Sequence, residues 1–167
     1  MLIAALLVAV SAIGVVLAIA AGRQPSTSPV PIPAVPAPQA ADPACHTLLG
    51  ALPDRLGAFR RAAAADPAPE GAAAWRSDPA TEPVILRCGL DRPGEFVVGA
   101  PLQLVDDVQW FRIGGDAGLG TTWFAVDRPV YVALTLPADS GPTAIQEVSA
   151  VIARTLPARP IDPGPAR

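Results

Sequence analysis

From Leu2 to Gly22 the chain runs 21 residues, LIAALLVAVSAIGVVLAIAAG, without one charged side chain. At about 1.5 Å of rise per residue such a helix is about 31 Å long, close to the hydrocarbon thickness of a bilayer. A helix buried in a soluble core keeps a polar stripe on its outer side. Here Ser11 is the one polar side chain, and it can bond back to a carbonyl of its own helix. Residues 1–22 therefore read as a single transmembrane helix or signal segment, with the rest of the chain exported. Ala18-Ile19-Ala20 offers the small-x-small pattern that precedes cleavage. The apolar run exceeds the roughly 7–15 residues of a signal-peptide core, which favours retention as an anchor. The expected location is the cell membrane with an extracytoplasmic C-terminal domain, and secretion after cleavage near Ala20 is the alternative. Basic residues normally lie on the side of the membrane that is not exported. The first one here, Arg23, follows the segment, so a basic stretch upstream of Met1 is expected.

Beyond the apolar run the chain changes character. Gln24 to Pro43 holds seven of the 21 prolines. Proline fixes φ and lacks an amide hydrogen, which favours polyproline II and excludes the stretch from a sheet ladder. Residues 23–43 thus read as a Pro-rich tether, and twenty residues at about 3.1 Å each extend to about 60 Å. Residues 44–158 are expected to form one extracytoplasmic α+β domain, and residues 159–167 a disordered tail. Cys45 and Cys88 are the two cysteines of the chain. In an exported protein an even count argues for a disulfide over a reactive thiol, and a redox motif would place the pair two residues apart.

Periodicity supplies the elements. Leu48, Leu49, Leu52 and Leu56 recur at helical spacing, so a helix, or two short ones broken at Pro53, is expected to end near Leu56 with Gly57 as a left-handed cap. Phe59-Arg60-Arg61 is open between strand and loop, and Ala65 to Ser77 reads mostly as loop. Strands are expected over Val84–Leu90, Glu95–Val98, Val108–Ile113, Thr121–Val126 and Val130–Leu136, the last two joined by a turn at Asp127-Arg128-Pro129. Ile145, Val148, Val151, Ile152 and Leu156 line one side of a closing helix that Pro157 stops, with Ser140-Gly141-Pro142 as cap and first turn. The expected fold is a small antiparallel sheet of four or five strands with the N- and C-terminal helices packed on one face.

Chemistry is sparse. The net charge is −3 and no basic run exceeds Arg60-Arg61, which argues against nucleic acid, whose phosphates need a clustered positive footprint. All twelve basic residues are arginine, a pattern of GC-rich coding rather than of mechanism. His46, the single histidine, lacks the neighbours of a metal site, and no G-x-S-x-G elbow accompanies it. The run Gly114-Gly115-Asp116-Ala117-Gly118-Leu119-Gly120 lacks the lysine of a phosphate loop and the ligand spacing of a calcium loop, so it reads as a connection between strands. Asp106 and Asp107, adjacent in extended chain, would point to opposite faces and not act as an acid/base pair. No catalytic, cofactor-binding or metal residue is therefore assigned. Trp75, Trp110 and Trp123 belong either to the core or to a ligand groove, the one binding site the sequence offers.

A series of short motifs carries a resemblance. Cys45-x-x-Leu48 with Leu52-Pro53 comes first, then Arg87-Cys88-Gly89, Val108-x-Trp110, and Asp127-Arg128-Pro129-Val130-Tyr131-Val132 closed by Pro137. In order and spacing they are similar to the actinobacterial envelope family known as domain of unknown function 3515, over about Cys45 to Leu156. Trp75-Arg76-Ser77-Asp78-Pro79 departs from the Trp-Gly-Asp-Pro expected of relatives. The resemblance implies a membrane-anchored or secreted envelope protein and carries no assigned activity or site. The expected function is a non-enzymatic interaction domain that contacts another envelope protein or lipid. A small-ligand module for lipid or glycan is the alternative, and an unrecognised hydrolase the third reading.

Overall fold

The computed structural model describes residues 28–78, 81–114, 120–138 and 140–166. Asp42 starts the first regular element: its carboxylate accepts from the Ala44 amide at 2.7 Å, and Pro43 stands where a missing donor costs nothing. This helix, α1 (Pro43–Ala51), ends before Pro53, whose ring disfavours helical backbone at the preceding residue. Eight strands follow: β1 (Arg55–Leu56), β2 (Phe59–Ala62), β3 (Ala72–Arg76), β4 (Val84–Leu90), β5 (Leu102–Val105), β6 (Val108–Gly114), β7 (Thr121–Ala125) and β8 (Tyr131–Leu136). Helix α2 (Thr143–Thr155) closes the fold.

The sheet is antiparallel throughout, in the order β1-β2-β3-β4-β8-β7-β6-β5. Two four-strand meanders are thus joined at their last strands, β4 and β8. This corrects the expectation of four or five strands. β3 was hidden because its alanines carry no strand propensity, and β1 and β2 because they are short. β5 pairs with β6 through Asp106 and Asp107, both at positive φ (45° and 63°), as a two-residue turn of the mirror-image type requires. The two aspartates therefore sit at a hairpin tip and not in extended chain. Gly57 serves the β1–β2 turn rather than a helix cap, and Glu95–Val98 forms turns with a single bridge from Val97 to Gly164. The expected N-terminal transmembrane helix lies outside the described residues, and among the described residues no helix is long and apolar enough to cross a membrane.

Alternation along each strand separates two faces. Leu56, Phe59, Trp75, Val84, Leu86, Cys88, Val108, Trp110, Val132 and Leu134 point to one side and pack with Cys45 and Leu48 of α1 and with Ile145, Val148 and Ile152 of α2. Trp110 Nε1 donates to Ser149 Oγ at 2.9 Å, so both buried polar groups are satisfied inside this core. Cys45 and Cys88 are joined in a disulfide with Cα atoms 5.6 Å apart, pinning the head of α1 to the central strand β4.

The other face is covered without helices. Over β2–β4, Val30 and Ile32 bury themselves against Ala74 and Ile85. The Val30 amide donates to the Ala63 carbonyl, and the Ala65 amide donates to the Val30 carbonyl, both at 2.8 Å. Arg87 donates to the Pro33 carbonyl at 3.3 Å, and its half-burial pulls the guanidinium below the ordinary arginine value through desolvation. Residues 30–40 of the Pro-rich stretch, expected as part of a free tether, therefore form a strap on the domain. Over β5–β8 lie the β4–β5 crossover and the C-terminal segment. Phe96 stacks against Phe111 with ring centroids 5.4 Å apart. Gly164 exchanges backbone bonds with Phe96 and Val98. The segment expected as a disordered tail is thus paired to the crossover, and Tyr131 Oη donates to the Asp162 carbonyl at 3.3 Å.

One residue decides whether the strap can seat. Gly89 has φ +83°, and a Cβ built there would lie 2.3 Å from the Gln39 carbonyl carbon, while the Gln39 amide donates to the Gly89 carbonyl at 3.0 Å. Gly89→Ala is expected to destabilise the domain by about 2 kcal/mol from backbone strain alone and to lift the strap away. Denaturant midpoints and hydrogen exchange at residues 30–40 check this. Unchanged protection of the strap would refute the assignment.

Candidate ligand groove

At the end of the sheet where β6 leads into β7 and β8 leads into α2, the helix-side face is not fully roofed. Two adjoining hollows of about 340 and 350 Å³ flank the β8–α2 connection and share Pro137, Ala138 and Ser140 as a divider. The larger apolar share belongs to the first. Its floor is Val105 of β5, Trp123 of β7, Leu136 of β8 and Ile145 of α2, and its rim carries Gln103, Thr121 and Gln146. The second is lined by Phe59, Ser77, Thr81 and Glu82, with Ser77 Oγ and Thr81 Oγ1 3.0 Å apart.

Local sequence explains the opening. Gly114, at φ +76°, pairs with Thr121, which lines the first hollow. A Cβ at Gly120 would stand 2.8 Å from the Leu136 carbonyl, so the chain passes close to β8 there. Helix α2 starts at Thr143 with Pro142 as its N-terminal neighbour and no side-chain cap; Ser140, expected as that cap, lines the groove instead. Arg112, paired with Trp123 across the strands, holds its guanidinium 6.0 Å from the Trp123 ring centroid.

The three tryptophans proposed as a groove are separated by the fold. Trp75 and Trp110 are fully buried under the helices, and Trp75 Nε1 donates to the Pro53 carbonyl at 2.9 Å. Trp123 alone reaches the groove. The reason is register: Trp75 and Trp110 lie on strands that α1 and α2 cover, whereas Trp123 faces the uncovered corner. Gln103 and Val105 were missed because β5 was not recognised. The alternation Leu102-Gln103-Leu104-Val105 ahead of a polar two-residue turn was the available signal. His46 is exposed on α1 beside Cys45, at the opposite end of the sheet from the groove. Among the described residues no three His, Cys, Asp or Glu side chains come together as a metal-binding group. Gly115 to Leu119, the loop weighed as a phosphate or calcium loop, lie outside the described residues.

The fold and the groove define a class: a small α+β domain with one long antiparallel sheet, helices on one face, a chain-built cover on the other, and a mostly apolar hollow rimmed by amides and hydroxyls, with Arg112 and Glu82 beside it. The family model described as Protein of unknown function (DUF3515) matches residues 6–161, and the chain belongs to that family. The match begins inside the apolar segment and takes in both helices and all eight strands. No curated protein and no solved structure matches the chain.

Proposed function

We propose that this is an actinobacterial cell-envelope protein, held in the membrane by Leu2–Gly22, whose extracytoplasmic domain works by binding and not by catalysis. The support is the uncharged apolar run, the arginine-only basic complement and the motif resemblance. The single observation that carries the binding reading is the placement of Trp123. It lines the first hollow among amides, hydroxyls and aliphatic carbons, and the nearby charge is the Arg112 guanidinium, 6.0 Å from its ring centroid. Such a surface suits a neutral glycan: an indole face packs on sugar C–H groups, while Gln103 and Gln146 exchange hydrogen bonds with hydroxyl or acetamido groups.

The test is titration of the full chain with an N-acetylhexosamine oligosaccharide, read by tryptophan fluorescence and melting temperature. Trp123→Ala is expected to weaken binding by at least about tenfold, the equivalent of one interface anchor, with far-UV circular dichroism unchanged. No response to the oligosaccharide in either readout would reject the glycan reading. A response to a short-chain neutral lipid alone would move the groove to an acyl ligand.

A further inference from the structure

The back face, opposite the helices, has an unusual surface. Among the described residues the exposed large hydrophobics are Val35, Val98, Leu104 and Ile161, and all four belong to this side. Val35 is in the strap. Leu104 alternates with Gln103 and Val105, whose side chains line the groove on the helix side. Val98 and Ile161 flank the Val97–Gly164 bridge in the two segments that cover the sheet.

Beside the strap, the same face carries a row of arginines. Arg55 is the register partner of Arg60, and Arg60 that of Arg76, so three cationic side chains leave adjacent strands on one side. Their sequence neighbours Leu56, Phe59 and Trp75 face the helices, which fixes the side as the back. Like charges directly opposite across strands repel. Arg55 and Arg60 are exposed and Arg76 is half-buried, with its Nε buried and without a hydrogen-bond partner. A chain of net charge −3 thus places three of its twelve arginines side by side on one face.

The third observation is length. Val30 is fixed beside β2 by its two backbone bonds. From Gly22, the last residue of the apolar run, to Val30 is eight residues, which span at most about 28 Å. Eight strands at about 4.8 Å make a sheet about 38 Å wide. The leash is shorter than the domain it holds, and it enters on the face and edge that carry the arginines.

We propose that the back face docks on an anionic membrane surface. Arg55, Arg60 and Arg76 meet lipid phosphates, the four exposed hydrophobic side chains enter the interfacial layer, and the helix side with its groove opens away from the bilayer. This rests on the reading of Leu2–Gly22 as a retained anchor. Each arginine contributes about fivefold to the ratio of docked to undocked domain, and the effect weakens with salt.

The experiment uses the full chain in vesicles of phosphatidylglycerol and phosphatidylcholine, or of phosphatidylcholine alone. A donor dye is placed on Pro36→Cys, in the strap, or on Arg154→Cys, exposed on α2, and the acceptor on lipid headgroups. Transfer from position 36 should exceed that from 154 in the anionic vesicles, and the difference should collapse in roughly 0.5 M salt and in R55Q/R60Q/R76Q. Equal transfer from both positions, or a difference indifferent to the triple substitution, overturns the proposal. So does an arginine-dependent response to soluble polyphosphate with none to anionic vesicles, which would assign the row to an anionic polymer. Extraction of the chain by alkaline carbonate sinks the anchor reading instead; sedimentation of the extracted chain with anionic but not neutral vesicles would still support the docking face.

Discussion

C45A/C88A is expected to lose about 4 kcal/mol of stability, the loop-closure entropy that cross-linking removes from an unfolded loop of this length. The two cysteines are separated by 43 positions, and both are fully buried in the main core. For a domain of this size the loss corresponds to a fall of about 10–15 °C in melting temperature, out of a total stability of roughly 5–15 kcal/mol. Alanine is the proper replacement, because serine would bury two hydroxyls and confound the comparison. The loss should also be uneven in space. The disulfide holds the head of α1 on β4 immediately after the strap passes Gly89 and Gly71. Without it the strap relies on the Val30 bonds, the Arg87–Pro33 bond and the Gln39–Gly89 bond. Limited proteolysis should therefore cut within residues 30–42 of the variant before it cuts the sheet. A midpoint shift worth less than about 1 kcal/mol would mean that the strap and α1 already hold these ends together in the unfolded ensemble.

How much of this was readable beforehand divides along physical lines. β4 places Val84, Leu86 and Cys88, and β8 places Val132, Leu134 and Leu136, at every second position, and α2 repeats its apolar residues at three and four positions, so period located them. The cysteine pair followed from parity. What failed was every element whose stability comes from its neighbours. Ala72-Ala73-Ala74 has no strand preference, yet β3 lies inside one meander: Ala73 packs in the main core, and the small side chains of Ala72 and Ala74 admit Val30 and Ile32 on the other face. The strap is not legible in the sequence because proline excludes a segment from sheet ladders but not from packing on a sheet face. Val30 and Ile32 alternate with Pro29, Pro31 and Pro33, so an extended chain can bury one side and expose its prolines on the other. The groove was half legible. Trp123 was named, but its partners Gln103 and Gln146 come from elements that only the long-range order β8-β7-β6-β5 and the placement of α2 bring together.

The motif Asp127-Arg128-Pro129 shows the same division, since the residues stood out but their burial did not. Arg128 and Asp127 form an ion pair at 2.9 Å, with side chains 2% and 5% exposed. The contact to Asp127 Oδ1 lies outside hydrogen-bond geometry, so that oxygen receives charge without a directional bond. The directional bonds go elsewhere. Arg128 donates to the Asp107 carbonyl at 2.8 Å and to the Asp127 carbonyl at 3.0 Å, while Asp127 Oδ2 accepts from the Gln109 amide at 3.1 Å. The Asp127 carbonyl also accepts from the Arg159 amide at 2.8 Å. One buried pair thus ties the β5–β6 turn, the β7–β8 turn and the start of the C-terminal segment.

Arg128→Met should cost about 3–5 kcal/mol, because it strands a buried carboxylate and orphans the Asp107 carbonyl. Asp127→Asn should cost less than that, since the amide can still accept from Gln109. The decisive measurement is the double variant. If the pair acts as a unit, D127N/R128M will be more stable than the sum of the single losses predicts, by a coupling of about 1–3 kcal/mol. Additive losses would mean that each residue acts through its own backbone bonds. Hydrogen exchange separates these further: a unit releases residues 106–107 and 159–164 together in either single variant, and with them the cover that carries Val98 and Ile161.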